Sequence, residues 1–272
     1  MYFQETKGVS QVKKILFGSV MAMGLAASVP ALAYSVSFDS TNTNVAGGDQ
    51  SGKTSYLLGA NNVAAAGSGL FVETFDARNG GGNAQGCGLD TPSNLVSIAG
   101  GTYGLRTGTV ASVAAAPAGD KTCYAFGPTP GGALPDKVNI NYSGLLATLG
   151  PGASLNYFGL YYGSIDTFND LIFYNASGAV IATVTGSSLI NQFKGTSGNQ
   201  QADSSNIYVN LFFTPAEQFT SFAFSTSGVA FEMDNLAIGY NIARNVPEPA
   251  SLALTGLALA AVVVTRRRKL IR

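Results

Sequence analysis

The chain has 272 residues with fifteen basic and fifteen acidic side chains, 34 glycines, and neither histidine nor tryptophan. The lack of histidine excludes Ser-His-Asp triads, His-ligated zinc and imidazole general bases, so any enzyme built on this chain would work with carboxylates or hydroxyls. The charge is unevenly spread: residues 34–246 carry seven Lys/Arg (Lys53, Arg78, Arg106, Lys121, Lys137, Lys194 and Arg244) against thirteen Asp/Glu, a net of −6. That balance argues against nucleic acid and anionic lipid as partners and is compatible with divalent cations.

At the N-terminus, Lys13-Lys14 precede an apolar stretch from Ile15 to Ala27, and Ala31-Leu32-Ala33 places small residues where signal peptidase reads. Residues 1–33 are therefore expected to be a secretory signal peptide, helical in its apolar part and cleaved after Ala33. The domain that follows, 34–245, faces an oxidising compartment. There Cys87 and Cys123, the two cysteines of the chain, lead to a disulfide, with two free thiols as the alternative.

Along this domain, short β-branched and aromatic runs alternate with Gly, Asn, Ser and Pro clusters. Expected strands are 34–38, 70–75, 95–98, 122–126, 138–142, 155–162, 170–174, 179–184, 207–213, 219–225 and 229–238. Helical periodicity of useful length is confined to the two ends. The spacing predicts an all-β fold, a jelly-roll-like β-sandwich ectodomain.

Residues 47–69 and Gly80-Gly81-Gly82 read as long loops. Within the first, Gly47-Gly48-Asp49-Gln50-Ser51-Gly52-Lys53-Thr54 satisfies the phosphate-binding loop pattern, but Gly59, Asn61 and Asn62 break any helix behind it. Such a loop needs a helix N-terminus to hold phosphate, so the match is read as coincidence. Gly127-Pro128-Thr129-Pro130-Gly131-Gly132 is a hinge between sheets or a boundary, and a single domain is preferred. Asn175-Ala176-Ser177-Gly178 reads as a hairpin turn. In 207–213 the odd positions are expected to face the core, while Tyr208 and Asn210 face outward.

Two constellations carry candidate chemistry. The aromatic run Leu155 to Tyr162, followed by Asp166 and Asn169, has the composition of a sugar-binding face, with Tyr161 and Tyr162 stacking on a pyranose and Asp166 and Asn169 fixing its hydroxyls. The alternative is core aromatics with rim hydroxyls. Glu73 and Asp76, with Glu232, Asp234 and Asn235 on the last strand, form the second group. If first and last strands are neighbours, these hard oxygens suit Ca²⁺. The layout resembles the structural calcium site of jelly-roll carbohydrate-binding modules. Solvated strand-edge acids and a glycosidase carboxylate pair are the competing readings.

Residues 246–272 close the chain with Pro247-Glu248-Pro249, an uncharged span of about 16 residues from Ala250 to Thr265, and Arg266-Arg267-Arg268-Lys269. The prolines keep the motif extended. The span is short for a permanent transmembrane helix, and the basic stop stays cytoplasmic. This tripartite tail resembles the PEP-CTERM sorting signal, with an ordinary C-terminal anchor as the alternative. The resemblance implies processing by an exosortase, transient residence in the inner membrane of a Gram-negative bacterium, and delivery to the cell surface or extracellular matrix. Segments 158–166, 192–193 and 208–235 also look like a recurring PEP-CTERM ectodomain type, framed by Gly163-Ser164-Ile165-Asp166 and Ala230 to Asn235. The expected function is a non-enzymatic matrix protein that associates with extracellular polysaccharide. A carboxylate-dependent glycan hydrolase or lyase and a purely structural or adhesive protein are the alternatives.

Overall fold

The computed structural model of the protein describes residues 34–241. The expected signal-peptide helix, the C-terminal transmembrane helix, Pro247-Glu248-Pro249 and the stop Arg266-Arg267-Arg268-Lys269 lie outside the described residues. Among the described residues no helix is long and apolar enough to cross a membrane.

Two antiparallel sheets face each other across an aromatic core. The larger runs β1 (Tyr34–Ser37), β12 (Ile207–Phe213), β9 (Tyr157–Gly163), β14 (Phe231–Gly239), β7 (Cys123–Gly127), β6 (Gly104–Thr107), with β4 (Leu70–Glu73) also paired to β14. The smaller runs β11 (Val180–Thr185), β10 (Asn169–Tyr174), β13 (Ser221–Thr226), β8 (Asp136–Asn141), β5 (Ser97–Ala99). From β7 onward the chain crosses repeatedly between the sheets. The β7-to-β8 crossing uses the Gly127 to Gly132 segment as the expected hinge.

Period-two alternation decides which side chains enter the core. Ile207, Val209, Leu211 and Phe213 of β12 and Phe158, Leu160 and Tyr162 of β9 all point inward. Phe158 sits edge-on to Phe173 at 5.0 Å and to Phe222 at 4.8 Å, the offset geometry that aromatic quadrupoles favour. Asn175 turns β10 into β11 as expected: its Oδ1 accepts from Ser177 N and Ala179 N, each at 3.0 Å, and Gly178 takes φ 79°.

Two features differ from the sequence expectation. Helices α1 (Ser143–Leu149) and α2 (Gly186–Phe193) interrupt the β pattern. They span only two turns each, too short for periodicity to register, although Thr185 caps α2 by accepting from Ser188 N at 3.1 Å. Secondly, the stretch expected as loop contributes to a small ribbon, β2 (Ser40–Asn42) with β3 (Lys53–Ser55), which contacts β9, β12 and β14. Leu58 with partly buried Tyr56, Leu57 and Ala64 packs onto Tyr157, Phe212 and Ala237. The large sheet is thereby covered on both faces, so Tyr208 and Asn210 lie on the expected face yet are buried.

The phosphate-loop look-alike is part of this cover. A strand follows it rather than a helix, and Lys53 Nζ donates to Asp203 Oδ1 at 2.8 Å and to the Asn206 carbonyl at 2.7 Å. Gly52 takes φ 85°, and a Cβ there would lie 2.7 Å from the Tyr161 ring, so its glycine serves close packing. Cys87 and Cys123 are disulfide-bonded, with Cα atoms 5.5 Å apart, joining the loop after β4 to the start of β7. Replacing both cysteines with serine is expected to cost about 3 to 4 kcal/mol by loop-closure entropy, read as a lower midpoint in urea unfolding.

Candidate functional site

The site forms where β14 divides its neighbours. On one edge Phe231 to Met233 pair with β7 and Leu236 to Gly239 pair with β4; on the other, the register against β9 slips between Asp234 and Ala237. Asn235 adopts φ 50° there, a left-handed conformation that Asn tolerates better than most residues. Met233 and Leu236, three positions apart, both enter the core. The bulge therefore leaves Asp234 and Asn235 together on the outer face, beneath the ribbon.

Asn235 is the hub of the contact. Its Nδ2 donates to Ser51 Oγ and the Lys53 carbonyl at 2.7 Å each, its Oδ1 accepts from Asn62 Nδ2 at 2.5 Å, and its carbonyl accepts from Tyr208 Oη at 3.0 Å. Around it stand four aspartates from distant segments. Asp49 accepts from Arg78 Nη2 at 2.6 Å, Ser51 Oγ at 2.8 Å and Asn62 Nδ2 at 3.2 Å. Asp76 Oδ1 accepts from Cys123 N at 2.9 Å. Asp120 Oδ1 accepts from Thr122 N and Oγ1 at 2.7 and 2.8 Å, and Asp234 Oδ1 accepts from Asn235 N at 2.6 Å. The Oδ2 atoms of Asp120 and Asp234 are buried without a hydrogen-bond partner.

Electrostatics follow from this crowding. Burial, then the charges of Asp76 and Asp49, pushes Asp120 up to about 8. Burial, then Asp120, Asp76 and Asp49, raises Asp234 well above the carboxylate range.

The five residues expected as calcium ligands are not one cluster. β4 and β14 are neighbours, as the expectation required, but Glu73 turns away and accepts three backbone N–H groups, from Phe75, Asp90 and Thr91, at 3.1, 2.6 and 3.0 Å. Glu232 points to another loop, accepting from Ala115 N at 2.9 Å and Ser164 Oγ at 3.2 Å. Asp234 and Asn235 adjoin on the bulge, and Asp76, Asp49 and Asp120 lie close enough for their charges to act on Asp234. Sequence reading missed Asp120 as a site residue. It met Asp49 only inside the phosphate-loop pattern. Among the described residues no group of three or more His, Cys, Asp or Glu is arranged to hold a metal by itself.

The expected sugar platform is also corrected. Tyr161 is fully buried, donating to the Ala118 carbonyl at 2.5 Å, and Tyr162 is stacked on Phe231 inside the core at 4.4 Å. Asn169 is buried and donates to the Ala230 carbonyl at 3.2 Å, while half-buried Asp166 accepts from Ser197 Oγ at 3.0 Å. β9 is a central strand covered on both faces, so no ring face is left for a pyranose. An open groove of about 370 Å³ lies instead beside β4, lined by Asn62, Val63, Phe71, Arg78, Asn79 and Asp90 among others. Its size falls in the small-ligand range. Arg78 links it to the aspartates, donating both to Asp49 and, at 3.0 Å, to the Asn62 carbonyl.

Fold and site together define a disulfide-linked, all-β sandwich with a carboxylate-rich seam. Residues 245–269 match the PEP-CTERM protein-sorting motif. The chain therefore carries a PEP-CTERM sorting motif, which implies export and exosortase processing, with membrane anchoring beforehand and cell-surface association afterwards. A search of curated proteins returned no match. Among solved structures, the K2 cleaved adhesin domain of Lys-gingipain is similar at 12% identity and TM-score 0.36, over 62% of this chain and 98% of that one. A mutant of the lectin-binding domain of lectinolysin complexed with Lewis b is similar at 11% identity and TM-score 0.26, over 40% of this chain and 66% of that one.

Burial pushes Glu232 up to about 8, against an ordinary value of 4.5. The folded state then holds a proton that the unfolded chain releases, so this residue's contribution to stability is present below pH 4.5 and is lost as pH rises towards 8. Glu232→Gln, which keeps both hydrogen-bonding positions, is expected to flatten the decline of urea midpoint across that window.

Proposed function

We propose that the mature domain is a non-enzymatic, surface-displayed or matrix-resident jelly-roll-like β-sandwich that associates weakly with extracellular polysaccharide. The observation that carries the reading is the sorting motif at residues 245–269, which directs the attached domain to the cell surface. The strand orders β7-β14-β9-β12 and β8-β13-β10-β11 support the jelly-roll assignment, because consecutive strands then wrap as paired Greek keys.

Three physical points support association over catalysis. Glu232 and Asp234, two of the carboxylates considered for a glycan hydrolase or lyase, are buried at 3% and 0% exposure rather than set in an open cleft. The groove beside β4 offers the partly exposed Phe71 ring, with the exposed residues Arg78 and Asn79 at its rim. The net charge of −6 over residues 34–246 favours a neutral polymer over a polyanion.

Retention of the exported protein on immobilised neutral exopolysaccharide tests the proposal. Phe71→Ala and Asn79→Ala are each expected to weaken it about threefold or more, whereas Tyr161→Phe leaves it unchanged. Release of reducing ends that Asp234→Asn abolishes without unfolding the protein would establish the hydrolase alternative. Absence of both retention and turnover would leave the purely structural or adhesive role.

A further inference from the structure

We propose that Asp120 and Asp234 are the paired carboxylate ligands of a Ca²⁺ ion that clamps the ribbon and the loop before β7 onto the bulge of β14. Asp234 is fully buried, and its Oδ2 meets no donor among the described residues; Asp120 is partly buried as a residue, but its Oδ2 is likewise buried without a partner. A buried carboxylate oxygen left unpaired is costly, so such groups are normally paired with donors or cations. Here the charge of Asp120 acts on Asp234, and Asp49 and Asp76 act on both. Arg78 alone is ion-paired within the group, and it is committed to Asp49.

The donors present select the ion. Both cysteines are in the disulfide and the chain has no histidine, so soft and borderline metals find no ligand of their preferred type. Carboxylate, amide and hydroxyl oxygens remain, the set that Ca²⁺ takes in its irregular, high-coordination shell. Because no three acidic side chains converge, neutral oxygens and water complete that shell. A site with so few charged ligands belongs to the weak class of extracellular modules, with Kd on the order of 10⁻⁴ to 10⁻³ M.

The four aspartates leave the chain at the β2–β3 turn, after β4, before β7 and on β14. An ion among them would therefore cross-link the cover to the sheet, beside the Asn235 hub. Asn62, which donates to both Asn235 and Asp49, also lines the groove beside β4. Calcium would thus order one wall of that groove, but the cation site does not rest on the glycan reading and is assayed on the protein alone.

The test uses the exported protein freed of metal with EGTA and dialysed. Adding about 10 mM CaCl₂ is expected to raise the melting temperature by roughly 3 to 8 °C, with half the rise near 1 mM or below. Magnesium, which demands a tighter octahedron, should give a much smaller rise. Asp120→Asn and Asp234→Asn should each abolish the calcium response without lowering the melting temperature in EGTA, and Glu232→Gln should retain it. Terbium provides a second readout should Asp234→Asn fail to fold: Tyr161 feels the charges of both Asp120 and Asp234 and the chain has no tryptophan, so tyrosine-sensitised luminescence reports occupancy. That emission should be displaced by calcium and lost in Asp120→Asn. Wild-type protein whose melting temperature does not move up to 10 mM calcium, or an Asp120→Asn variant that still responds, would overturn the proposal.

Discussion

The structure depends on the seam between the outer face of β14 and the polar segment laid over it. Hydrogen bonds from Asn235 to Ser51 and Lys53, and from Asn62 to Asn235, hold that segment down together with the burial of Leu58 against Tyr157, Phe212 and Ala237. The bulge supplies the geometry: a regular strand would turn one of Asp234 and Asn235 into the core, whereas the extra residue turns both outward. Once the seam is closed, a sheet that would ordinarily have one wet face has none. Tyr157, Tyr161, Tyr208 and Asn210 then become buried polar groups that each need a partner, and each has one: Ser55, Ala118, Asn235 and the carbonyls of Ser37 and Asp39.

The same closure explains why this chain looks richer in active-site chemistry than it is. Glycine, lysine and threonine spaced as in a phosphate loop arise here because Gly52 must approach the Tyr161 ring, Lys53 reaches Asp203, and Thr54 donates to Asn62 at 2.5 Å. Aromatics in the pattern of a sugar platform arise because β9 is packed on both sides. Carboxylates that suggest a glycosidase pair serve different parts of the fold, since Glu232 orders the loop at Ala115 while Asp234 faces the aspartate cluster. One concavity that stays exposed is the groove beside β4, walled by β4, the end of β14 and the loops at Asn62 and Asp90.

Legibility varied with how locally each feature is encoded. β12 and the β10–β11 hairpin were readable because alternation and an Asn-x-x-Gly turn are written in consecutive residues. The cysteine pair was readable because two cysteines in an exported chain leave one pairing. The ribbon was not: Ser-Thr-Asn and Lys-Thr-Ser are three-residue strands with no apolar alternation, and they pair only because a sheet assembled from distant segments lies beneath them. Half of the candidate site was legible for the same reason. Asp234-Asn235 stood out within an apolar strand, but Asp120 sits in a loop with nothing local to mark it, and its relevance comes from 114 positions further along the chain.

By itself the sequence determined destination and class: the PEP-CTERM motif, the disulfide, the all-β alternation and the absence of imidazole chemistry are all properties of short stretches or of composition. Only the tertiary structure decided which polar residues are free to act. Whether a tyrosine presents its face to a sugar or a carboxylate meets another carboxylate depends on what covers it, and cover is supplied by segments that no local pattern connects.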